Sequence, residues 1–150
     1  MKLGMVLVVV GAVAACTQAQ KPYTFVAPNA PTDAVEITAR TLAQSGHEPA
    51  RVDAATGIVM TKWEDTGFGY GFVQGQEATI VRRFTVTLAK RAAGMEVIVR
   101  QDGKRCQKGG FTLGDVDVRG PCEAMNEVVD RHQKDVDDLG ARLRQALAQR

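Results

Sequence analysis

Thr79-Ile80-Val81-Arg82-Arg83-Phe84-Thr85-Val86-Thr87-Leu88-Ala89-Lys90, then Ala92-Ala93-Gly94, then Met95-Glu96-Val97-Ile98-Val99-Arg100, is the stretch that decides the fold. In an extended chain Ile80, Phe84, Val86 and Leu88 share one face, and Val81, Arg83, Thr85 and Thr87 share the other. Arg82 interrupts the first face near its open end. The Ala-Ala-Gly step is short enough for a tight connection, and alternation resumes after it. Two antiparallel strands joined as a hairpin are therefore expected, the second ending at Gly103.

Working outward, Met125, Val128, Val129, His132, Val136, Leu139, Leu143, Ala146 and Leu147 keep helical spacing to the end of the chain. Pro121 suits a first helical turn. Gly140 costs such a helix about 1 kcal/mol relative to Ala and allows another element to come close. Upstream, Val35, Ala39 and Leu42 mark a shorter helix that Gly46 stops. Residues 47–53 and 57–63 read as two short strands, the first marked as an edge by Pro49. The expected order is α-β-β-β-β-α. It implies one α+β domain over residues 32–150, with a four-stranded antiparallel sheet packed by a long C-terminal helix and a shorter N-terminal one.

The chain has 150 residues, 45% of them hydrophobic, with 19 basic and 17 acidic side chains. That balance argues against a nucleic-acid binder, which needs a dominant basic face. No dinucleotide fingerprint, P-loop or HExxH is present, and no CxxC. Ser45, the sole serine, sits beside Gly46 with nothing visible to activate it. Asp130, Asp135, Asp137 and Asp138 read as a solvated helix face. No metal site, cofactor or catalytic centre is expected.

Lys2, the apolar run 3–13 and Val13-Ala14-Ala15-Cys16 resemble the signal peptide and lipobox of bacterial lipoproteins. The resemblance implies that residues 1–15 are removed. It also implies that Cys16 carries diacylglycerol on its thiol and an acyl chain, such as palmitate, on its new amine. The apolar run is too short to span a bilayer as a helix of ~20 residues. Thr17, where an Asp often signals inner-membrane retention, points to the outer membrane, facing the periplasm. Residues 16–31, with Pro22, Pro28 and Pro31, read as a flexible tether. With Cys16 reserved for lipid, Cys106 and Cys122 remain. In an oxidising compartment they are expected to form a disulfide, the alternative being two free thiols.

The order of elements, with Gly57-Ile58-Val59-Met60-Thr61-Lys62-Trp63 as its best-matching stretch, is similar to the helix-grip domains of BamC-type outer-membrane lipoproteins. That family carries two such domains and a long N-terminal docking segment; this chain has one domain and no recognisable counterpart of the segment. The resemblance implies fold and compartment more than role.

The segment 66–75, Thr-Gly-Phe-Gly-Tyr-Gly-Phe-Val-Gln-Gly, is the most unusual stretch. It reads either as a mobile loop presenting Phe68, Tyr70 and Phe72 to a partner, or as a hairpin connection whose aromatics fold back. Trp63 is a further partner-binding candidate, or else a rim residue of the core. Arg82 and Arg83, with Lys62 and Arg100, form either a basic patch for lipid phosphate or acidic glycan, or face charges paired with Glu64 or Glu96. The expected function is a non-catalytic interaction or accessory module of the cell envelope, held to the membrane through Cys16 and contacting envelope proteins. The alternatives are a lipid- or glycan-binding module with a cavity over Trp63, Phe84 and Leu143, and an envelope hydrolase.

Overall fold

The computed structural model describes residues 20–108, 111–113, 116–118, 121–125 and 130–148. Cys16, residues 1–15 with their expected signal peptide, Val128 and Val129 lie outside the described residues. The elements run β1 (Tyr23–Ala27), α1 (Ala34–Gln44), β2 (Pro49–Asp53), β3 (Ile58–Thr61), β4 (Glu64–Val73), β5 (Gln76–Arg91), β6 (Gly94–Gln107), β7 (Phe111–Leu113), β8 (Val116–Val118), β9 (Cys122–Ala124) and α2 (Asp130–Ala148). The fold is α+β with antiparallel pairing and two helices, but the main sheet has seven strands rather than four.

Its spine is the expected hairpin, extended at both ends. β5 and β6 pair from Arg91↔Gly94 to Ala78↔Gln107, straight past Gly103. A glycine has no side chain to pack, but its backbone still completes the ladder, so Gly103 does not end the strand. The order across the sheet is β1-β6-β5-β3-β2; β4 pairs with the first part of β5 and β9 with the last part of β6. β7 and β8 form a separate two-stranded ribbon.

Three corrections follow. Tyr23–Ala27 lies in the expected tether, yet pairs with β6 from Tyr23↔Val99 to Ala27↔Met95. Its Tyr-Thr-Phe-Val run is β-favouring, and Phe25 and Ala27 are buried. Of segment 66–75, residues 66–73 are strand rather than loop and only 74–75 form the hairpin turn, as described below. Pro121 precedes β9, not the last helix, which begins at Asp130.

The inner face of the sheet carries Phe84, Val86, Leu88, Val97, Val99, Val59 and Phe25, which pack against Ile37 and Leu42 of α1 and Val136, Leu139, Leu143 and Leu147 of α2. α1 lies over β2 and β3, and α2 over β1 and β6. Gly140 permits the second contact: a Cβ there would sit 2.2 Å from the Tyr23 ring. At the far end of the hairpin Cys106 and Cys122 stand directly opposite each other in β6 and β9 and form a disulfide.

Candidate functional site

β4 folds as a bulged strand in which Gly67 and Gly71 take positive φ, 68° and 67°, a conformation that side chains disfavour. It pairs with β5 at Glu64↔Arg82 and Asp65↔Val81, slips, pairs again at Gly69↔Thr79, slips, and resumes at Phe72↔Glu77. The first bulge is pinned by polar groups. The Asp65 carboxylate accepts from the Gly67 N–H at 2.8 Å and the Thr79 hydroxyl at 2.7 Å. The Thr66 hydroxyl donates to the Ile80 carbonyl at 2.8 Å. Gln74 and Gly75 both take positive φ, 49° and 79°, as the two-residue turn into β5 requires.

Among the described residues β4 pairs with no strand but β5, so its other side is a sheet edge. Phe68 is 42% exposed there and Phe72 66%. Tyr70 belongs to the strand, but its side chain is outside the described set. Gly69 and Gly71 leave a cleft of about 290 Å³ beside Phe72, closed by Glu77 and Ala78. The bulges twist this edge and break its row of backbone donors and acceptors. It suits recognition by aromatic side chains and their cleft better than addition of a long partner strand.

Trp63 sits at the β3–β4 junction, on the outer face of the sheet. The Arg83 guanidinium lies 4.7 Å and the Lys104 ammonium 4.3 Å from its ring centroid. Phe84 and Leu143 are on the inner face with no exposure. These three side chains therefore do not line a common cavity. Space between β1 and the end of α2 does exist, as a groove of about 280 Å³ lined by Phe25, Ala27, Arg144 and Leu147 among others.

The two arginines part company, because successive residues of a strand face opposite ways. Arg83 pairs with Asp102 at 2.9 Å, directly across the ladder. Arg82 turns inward, where it meets Asp135 of α2 and lies 3.9 Å from Glu64. His47 completes a network of which the sequence suggested only the pairing of an arginine with Glu64. Its Nδ1 is 3.0 Å from each Glu64 oxygen, and its ring lies 4.6 Å from that of Phe84. Strand pairing links Arg82 to Glu64, but only the topology adds His47 and Asp135. His47, Arg82 and Asp135 border a polar cleft of about 230 Å³ that also includes Ser45 and Arg142. Ser45 Oγ accepts from Arg142 Nη1 at 3.5 Å, and among the described residues it has no bond to His47. The network braces the α1–β2 junction, β4, β5 and α2 against one another.

Among the described residues, no group of three or more His, Cys, Asp or Glu is placed to hold a metal ion. Among them, too, no helix is long and apolar enough to cross a membrane. No family model matches the chain, and no curated protein is significantly similar to it.

Proposed function

We propose that the protein is a lipid-anchored, non-catalytic interaction module of the bacterial envelope, held through Cys16 at the periplasmic side of the outer membrane. It recognises an envelope protein through the aromatic edge β4. The observation that carries this reading is the pair of exposed rings, Phe68 and Phe72, on an open edge strand whose bulges are fixed by Asp65 and Thr66. Large apolar rings on a positioned backbone give contact area at little entropic cost. A membrane anchor raises the local concentration of the module, so a modest contact area suffices.

Photocrosslinking in intact cells tests it. A crosslinking side chain at position 72 is expected to yield discrete adducts that disappear in Phe68→Ser. The same probe at Val52, a 49% exposed residue of β2, serves as the control. Equal adduct patterns from the two positions would remove the support for β4.

A further inference from the structure

We infer that the outer face of the sheet around Trp63 docks on the phosphate headgroups of an anionic bilayer. Most charges of this face are taken up in pairs. Asp102 is taken by Arg83 at 2.9 Å, and Asp53 by Arg51 at 2.7 Å. Lys62 is held by Glu48 at 2.8 Å. Arg100 and Lys104 stand on the same face, opposite Thr85 and Val81, and among the described residues neither has an acidic partner. Lys104 instead rests on the Trp63 ring. The face thus offers two cations outside its ion pairs beside a half-buried indole; Asp65, level with Val81 on the same face, is engaged by the Thr79 hydroxyl and the Gly67 N–H. Basic side chains with a tryptophan match the phosphate level of a bilayer, where the ring is amphipathic enough to stay and the cations meet lipid charge.

The inference rests on the membrane-side placement proposed above, since the anchor supplies proximity and the face needs to add only weak contacts. A domain lying on its outer face presents the β4 edge sideways, along the membrane plane, towards a neighbouring protein. Each cation near an anionic surface is worth about a fivefold change in the docked fraction.

Trp63 is the only tryptophan of the chain, so its fluorescence reports this face directly. The full chain, purified from membranes, is mixed with vesicles of phosphatidylglycerol and phosphatidylethanolamine, or of phosphatidylcholine alone. Flotation is scored alongside Trp63 emission and its quenching by brominated acyl chains. Emission is expected to move to shorter wavelength and to be quenched only on the anionic vesicles. The double variant Arg100→Gln/Lys104→Gln, compared with its own vesicle-free baseline, should lose docking about 25-fold. Emission that is the same on both vesicle types, or a response unchanged in the double variant, overturns the inference. So does a response to soluble polyglutamate in place of vesicles, which would assign the face to an acidic protein. Flotation on neutral vesicles reports the anchor separately. A chain that fails to float there but shifts on anionic vesicles keeps the docking face and loses the anchor. One that floats on both without a shift keeps the anchor and loses the docking face.

Discussion

At the scale of single residues, Asp53 shows how one carboxylate sets a turn. Its side chain accepts from Arg51 at 2.7 Å and from the N–H groups of Ala55 and Thr56 at 3.1 Å. The bond from Arg51, and after it the one from the Thr56 backbone, lower its pKa from 3.8 to about 2. The charged form therefore favours the folded turn. Its contribution is complete above about pH 4 and fades as the pH falls towards 2. The Ala55 and Thr56 amide shifts, followed by NMR, should titrate with a midpoint near 2. A midpoint at the ordinary carboxylate value would show that these bonds do not hold in solution. The same scale explains why Arg82 and Arg83, neighbours in sequence, do different work. One is bound inward to Asp135 and Glu64, and the other pairs with Asp102 over the Trp63 ring.

At the scale of elements, the β1–α2 contact depends on an absent side chain. Gly140 lets the Tyr23 ring lie against the helix. Gly140→Ala improves helix propensity by about 1 kcal/mol but forces β1 from its place, and overpacking of this kind costs about 1–3 kcal/mol. A net loss of stability is expected in urea unfolding; a gain would show that β1 does not pack there. Where periodicity runs long and uninterrupted, as in β5, β6 and α2, the elements were legible from residue order alone. β1 was hidden by its flanking prolines, Pro22 and Pro28, which signal a linker while sitting outside the five paired residues. β4 was hidden by its glycines, because a bulged strand and a flexible loop share one composition. The aromatic residues of the candidate site could be named in advance. Of the His47–Glu64–Arg82–Asp135 network only the Glu64–Arg82 pairing could, because His47 and Asp135 join it by packing and not by any spacing.

For the whole molecule, the disulfide closes the far end of the long hairpin. Cys106 and Cys122 are 16 positions apart, a loop for which chain entropy gives a stabilisation of about 3 kcal/mol. Reduction, or Cys122→Ser, should lower the urea midpoint accordingly, and an unchanged midpoint would mean that the pairing carries no stability. Bonds of this kind persist mainly in oxidising compartments, which is where the proposal puts the domain. The overall design is then a two-layer domain with its helices on one face, a charged outer face on the other, and the aromatic β4 among the strands paired on one side only. The roles proposed for that face and for β4 both presuppose that the domain is held at a membrane. Metabolic labelling with an alkyne fatty acid, combined with the intact mass of the purified protein, tests that most directly. The expected result is a labelled chain that starts at Cys16, with label absent in Cys16→Ser. An unlabelled wild-type chain, or equal label in the variant, would contradict the account.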